Sequence, residues 1–177
     1  MSLRSGEAAL LFFLGPVMAV QAHAEIYMSE QQAATVIFPS EKFDRIETEI
    51  TSVELEKIEK LLPTKLRSKK LLLYKSSEKS IVFIDQVIGK HEFITYAVGI
   101  DKQGKIAGIE ILEYRESYGS QIKKSAWRAQ FKNKDKNSKL ELNIDISNIS
   151  GATLSSAHVT TGVKKIIQVY DTIKTRI

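Results

Sequence analysis

Between Ile81 and Tyr114 the chain passes three times through β-forming residues, with only a few residues joining one run to the next. Ile81 to Ile88 is apolar and rich in branched side chains, and Gly89-Lys90 turns it. From His91 to Ile100 the pattern alternates, so that Ile94, Tyr96, Val98 and Ile100 share a face. Asp101-Lys102-Gln103-Gly104 is a second turn. Lys105 to Tyr114 then returns with Ala107, Ile109 and Ile111 on one side. Parallel pairing needs a crossover of about a dozen residues or more. Connections this short therefore make the segment an antiparallel meander.

The flanks of the meander are helical or polar. Ser29 to Phe38 reads as a short helix, with Ser29 and Gln32 as a capping box and Pro39 as its stop. Ser52 to Leu62 is a second helix that Ser52 can cap; Leu55, Ile58 and Leu62 share one face, and Pro63 ends it. Lys65 to Lys79 is a basic stretch around Leu71-Leu72-Leu73-Tyr74, its positive charges read as solvated surface. Ser117 to Gln130 holds a glycine and then a helix. Lys132 to Lys139 is a charged loop, and Leu140, Leu142, Ile144 and Ile146 alternate with polar residues as in a half-buried strand. The last helix places Val159, Val163, Ile166, Ile167, Tyr170 and Ile173 toward a core. At 177 residues these elements fit one domain. The fold class expected is α+β, a twisted antiparallel β-sheet with packed helices. It has an N-terminal helical and basic segment (25–80) ahead of the core (81–177).

Composition removes several classes of chemistry. The chain has no cysteine, so disulfides, thiol nucleophiles and thiolate-bound metals are excluded. The net charge of +5 is far short of a nucleic-acid-binding signature, and no nucleic acid is expected as a partner. His23, His91 and His158 share no ligand spacing, and no metal site is expected. Gly99 to Lys105 has phosphate-loop spacing, but Ile106 stands where a hydroxyl must hold magnesium, and the segment joins two strands. Residues 1–24 read as a secretory signal: Arg4, an apolar run from Ala8 to Val20, and Ala22-His23-Ala24 as the cleavage site. That run is short for a transmembrane helix. The expectation is a periplasmic or otherwise extracytoplasmic protein, with an uncleaved N-terminal anchor as the alternative.

Ser150-Gly151-Ala152-Thr153 lies between the alternating run and the last helix. Backbone N–H groups and the positive end of the helix converge at such a junction, which suits a phosphate. Gly151 lets a bulky ligand approach the backbone, and Thr153 offers a hydroxyl. Upstream stand Glu116-Ser117-Tyr118-Gly119, Ile122, Trp127 and Phe131. The strand pair from Tyr96 to Tyr114 reads Val-Gly-Ile-Asp, then Gly-Lys-Ile-Ala-Gly-Ile. In these features the sequence resembles the FMN-binding domain family of the flavin subunits of sodium-translocating NADH:quinone reductase and the Rnf complex, which also occurs in exported flavinylated proteins. The match covers most of residues 81–177 and, more weakly, 27–39. It departs from the pattern at Ser147, where many members carry an acid six residues before the Thr; here the nearest acid is Asp145.

The resemblance implies FMN held covalently through a phosphoester to Thr153, attached by a flavin transferase. Ser150, Gly151, Ala152 and Ser155 would surround the phosphate, and Glu116, Ser117, Tyr118 and Gly119 would contact the rest of the cofactor. It also implies an extracytoplasmic electron-transfer flavoprotein with redox partner proteins, some of them membrane-bound. That is a carrier and not a stand-alone enzyme, since no acid–base pair or nucleophile is arranged for a substrate. The alternative is a flavin-free exported domain that binds a small ligand or a protein. Trp127 and Phe131 read as core packing. The densest basic run, Lys123, Lys124, Arg128, Lys132, Lys134 and Lys136, is either a steering face for an acidic partner or plain solvated surface.

Overall fold

Residues 25–62, 65–116 and 119–177 are described by a computed structural model. The expected signal segment, residues 1–24, lies outside the described residues, as does Pro63. Six antiparallel strands form one sheet: β1 (Glu25–Ile26), β2 (Phe43–Glu49), β3 (Lys70–Ser76), β4 (Ile81–Ile88), β5 (Phe93–Ile100) and β6 (Ile106–Tyr114). The order is β1-β6-β5-β4-β3-β2, so β2 to β6 run as an uninterrupted meander and β1 is added beside β6. The meander expected from Ile81 onward is thus the centre of a larger sheet. With helices on both faces, the α+β expectation holds.

Helix α1 (Glu30–Ile37) lies on one face against β5 and β6. Its capping box is the one read from the sequence: Ser29 Oγ accepts from the Gln32 N–H, and Gln32 returns the bond to the Ser29 N–H. Helix α2 (Ser52–Leu61) starts one residue earlier than expected in its chemistry. Thr51, not Ser52, is the cap, and it pairs reciprocally with Glu54. A short turn of helix, α3 (Ser125–Arg128), sits between two 3₁₀ turns, where the sequence reading expected one helix. The long α4 (Thr153–Ile173) covers the other face of the sheet, against β4 and β5, and α2 packs on it. Its six expected core residues are all buried.

The main core lies between α4 and the sheet. Ile94, Tyr96, Val98 and Ile100 of β5 are fully buried there. On β6 the expected face shifts. Ile106, Ile109, Ile111 and Tyr114 point into this core, while Ala107 is only partly buried. The register with β5 slips by one residue at Gly99/Ile100 and again at Thr95/Tyr96, leaving Ala107 and Leu112 as the extra residues on β6. Such bulges reset the two-residue period. Leu112 accordingly packs under α1, with Ala33, Ala34 and Ala97.

Helix α4 approaches β4 and β5 closely at Gly162. A Cβ there would run into the Tyr96 hydroxyl and lie 2.9 Å from Val87 Cγ1. The Tyr96 hydroxyl donates to Asp85 Oδ2 (2.5 Å), which also pairs with Lys165 Nζ (2.5 Å). Burial first, and then the Asp85 charge, push the Tyr96 phenol well above its ordinary value. Gly162→Ala is therefore expected to destabilise the fold by about 1–3 kcal/mol through overpacking, despite the ~1 kcal/mol gain in helix propensity. Tyr96→Phe removes the clashing oxygen, so the double variant should lose less than the sum of the singles. Urea unfolding of the four proteins tests this, and simple additivity would refute it.

Candidate functional site

The segment before α4 is not the half-buried strand its alternation suggests. Residues 140–146 form a compact turn with one isolated bridge, Leu142 to Ile146. Asp145 causes the fold-back. Its carboxylate accepts from the Leu140 N–H (3.1 Å), the Glu141 N–H (2.9 Å) and Lys134 Nζ (2.9 Å). Leu140 and Asn143 take left-handed backbone conformations in that turn, and Ile144 is left exposed while Leu140 and Ile146 are buried. Burial works against ionisation of Asp145, but the Glu141 N–H and Lys134 outweigh it and hold the carboxyl below its ordinary value. The nearest acid to the Ser150–Thr153 motif is thus committed within its own loop.

Ser147 continues from this turn and is clamped on both sides. Gln130 Oε1 accepts its N–H (2.7 Å), and Trp127 Nε1 donates to its carbonyl (2.8 Å). Gly151 then takes φ +79° with open space where a side chain would lie, and the Ala152 N–H closes a turn on the Ile149 carbonyl. Helix α4 begins at Thr153 with Ala152 as its N-cap and no side-chain cap. The N-cap position is an alanine, and the hydroxyls of the first turn lie inside the helix. Ser156 Oγ lies against Asn148 Oδ1 and the Ala152 and Thr153 carbonyls. Ser155 Oγ meets the Tyr114 hydroxyl at 3.0 Å. Thr153 is exposed, with Asn148 Nδ2 3.5 Å from its oxygen. The first-turn N–H groups of α4 therefore face outward without a capping oxygen, at the positive end of the helix.

Opposite this helix start stands the turn between β4 and β5. Gly151, Ala152, Thr153, Leu154 and Ser155 face Lys90, His91 and Glu116 across a cavity of about 380 Å³. Glu116 holds that turn in place, its Oε1 accepting the N–H groups of His91 (2.6 Å) and Glu92 (3.0 Å). Burial alone would push its carboxyl up; the N–H groups of Glu92, His91 and Lys90 outweigh it and keep it below its ordinary value of 4.5. A depressed carboxylate stabilises the fold above its unfolded pKa, and that contribution is lost as pH falls through the folded one. Glu116→Gln should accordingly be less stable than the parent near neutrality, with the two stability curves converging as pH drops below 4.5. Curves that stay parallel in acid would show that Glu116 does not anchor the turn.

Of the residues singled out from the sequence, Gly151, Ala152, Thr153, Ser155 and Glu116 line one cavity. Ser150 is exposed just before it. Gly119 lies beneath, where a Cβ would sit 2.9 Å from Ser155 Oγ and 3.4 Å from the Ala152 methyl. Ser117 and Tyr118 lie outside the described residues. Lys90, His91 and Leu154 were not anticipated; Gly89-Lys90 signalled a turn but not what the turn faces. Trp127 and Phe131 are core residues, meeting edge-on with centroids 5.1 Å apart. The basic run from Lys123 to Lys136 is largely engaged within the molecule. Arg128 pairs with Glu110, Lys134 with Asp145 and Lys136 with Asp171, while Lys123 lies over the Tyr27 ring.

Residues 89–168 match the model of the FMN-binding domain. The matched segment contains every residue that lines the cavity. No curated protein matches the chain.

Proposed function

We propose that the protein is an extracytoplasmic electron-transfer flavoprotein that carries FMN covalently, through a phosphoester to the Thr153 hydroxyl. The observation that carries this reading is an uncapped helix start presenting an exposed threonine hydroxyl inside a cavity. The residues present fit the group. About 380 Å³ lies within the range of small-molecule pockets. The outward N–H groups of the first turn suit a phosphate, and Lys90 and His91 stand across from them. When bound, FMN supplies one- and two-electron redox chemistry.

The chain's own residues hold and position. The N–H groups around Thr153 to Ser155 and the Lys90 ammonium balance phosphate charge. Gly151 keeps the approach to the helix open. Glu116 fixes the Lys90–Glu92 turn, and Ala152 and Ser155 form the floor, with Gly119 beneath. A flavin transferase makes the attachment, and redox proteins, some membrane-bound, exchange electrons with the product. A phosphoester prevents loss of the cofactor by dissociation, which suits a protein exported by its residue 1–24 signal. Among the described residues no helix is long and apolar enough to cross a membrane.

The test is the intact mass of the chain exported together with a flavin transferase. A gain of one FMN less one water supports the reading. An unmodified, colourless chain, beside a control protein flavinylated under the same conditions, would overturn it.

A further inference from the structure

The sheet forks beside the flavin cavity. Strand β3 pairs with β4 only from Leu72↔Ile84 to Lys75↔Ile81, so Asp85 to Ile88 are paired on the β5 side alone. Facing that open stretch is the segment 65–70, in which Lys65, Arg67, Lys69 and Lys70 are all exposed. Among the described residues none of the four is in an ion pair. Two cavities of about 470 and 290 Å³ lie in and beside the fork, and Arg67, Gln86 and Lys165 line both. The acids bordering them are already engaged. Asp85 is held by Lys165 and Tyr96, and Glu30 accepts from the Tyr74 hydroxyl (2.8 Å).

Apolar side chains stand among these cations. Phe93 and Ile88 are cross-strand neighbours, and their exposures of 38% and 47% mark them as the apolar centre of the face. The Arg67 guanidinium lies 4.8 Å from the Phe93 ring centroid. The patch is continuous with the flavin cavity. Ile88 ends β4 two residues before Lys90, and His158 Nδ1 meets the Ile88 carbonyl at 2.5 Å one turn along α4 from Leu154. An exposed apolar centre with a cationic rim is the pattern of a recognition surface.

We propose that this face, Ile88 and Phe93 framed by Lys65, Arg67 and Lys69, docks the acidic surface of a protein partner. It rests on the flavin reading above only in identifying that protein as the redox partner, since the face borders the Thr153 cavity. Charge complementarity sets the sign of the partner. The groove sets its kind, because Arg67 and Lys70 line a concave wall that protruding carboxylate side chains can enter and a flat lipid surface cannot follow. The basic run from Lys123 to Lys136, dense in the sequence, does not compete for this role, because its cations are mostly engaged internally.

Binding is measured at low ionic strength with two probes: poly-L-glutamate and phosphatidylcholine vesicles containing phosphatidylglycerol. The proteins are the parent chain, Lys65→Glu/Arg67→Glu/Lys69→Glu, and Lys102→Glu/Lys105→Glu/Lys132→Glu. The second variant reverses equal charge among exposed residues at the opposite end of β5. Both should melt like the parent. The first should bind poly-L-glutamate about tenfold more weakly, and the second within about twofold of the parent. Equal weakening in both variants would reduce the effect to net charge. Tighter binding to the vesicles would assign the face to a membrane, and no binding by the parent would remove the proposal. Repeating the measurement with Thr153→Val keeps the two readings apart, because docking survives there even if flavin is never attached.

Discussion

Thr153→Val is expected to carry no flavin at all when exported with a flavin transferase, while folding as well as the parent. The loss should be complete because the phosphoester needs an oxygen at this position and valine has none at nearly the same size. The folding should be unaffected because Thr153 contributes little to the structure. It is exposed, and its oxygen has one long contact, 3.5 Å from Asn148 Nδ2. It is also not the helix cap, a place held by Ala152 without a side-chain bond. Removing a true Thr cap would cost about 0.5–2 kcal/mol; here that cost should be absent. Thr153→Ser keeps a hydroxyl and should keep flavin. Intact mass and thermal melting decide the matter together. A flavinylated Thr153→Val would move the attachment to a neighbouring hydroxyl, Ser150 being the exposed one.

What the sequence made legible follows its local physics. The meander from Ile81 to Tyr114 was readable because alternation and short turns coincide there. Strand β2 was not, since Phe43–Glu49 alternates only weakly and is largely charged and exposed. Strand β3 was hidden inside a basic stretch whose Leu72 to Tyr74 run pairs on both sides. Residues 140–146 misled in the opposite way: a clean alternation was overridden by one carboxylate, Asp145, gathering the chain around itself. The helix-start half of the cavity was legible as a motif contiguous in sequence. Lys90 and His91 were not, because only the pairing of β4 with β5 and the packing of α4 across them bring that turn to the helix start. The Lys123–Lys136 run shows the same limit, since charge density along a chain does not reveal which charges are already paired.

Phe131→Ala should give the largest loss of stability, because Phe131 has no exposed surface and lies in the main core. A buried Phe→Ala change costs about 3–5 kcal/mol, a large part of the roughly 5–15 kcal/mol that holds a domain together. At this size that corresponds to a fall in melting temperature of about 6–20 °C. Phe131→Leu keeps most of the volume and should lose much less. The effect should reach the site by a definite route. Phe131 backs the Trp127 ring edge-on, and Trp127 with Gln130 clamps Ser147 at the start of the loop that leads to Thr153. Trp127 is the sole tryptophan, so its emission should shift to the red in Phe131→Ala below the melting transition as its packing loosens. Flavin attachment should then fall in step with that loosening, because the hydroxyl at Thr153 remains while its presentation degrades. Full attachment in a protein whose Trp127 has visibly loosened would show that the Ser147 clamp is not what positions the helix start.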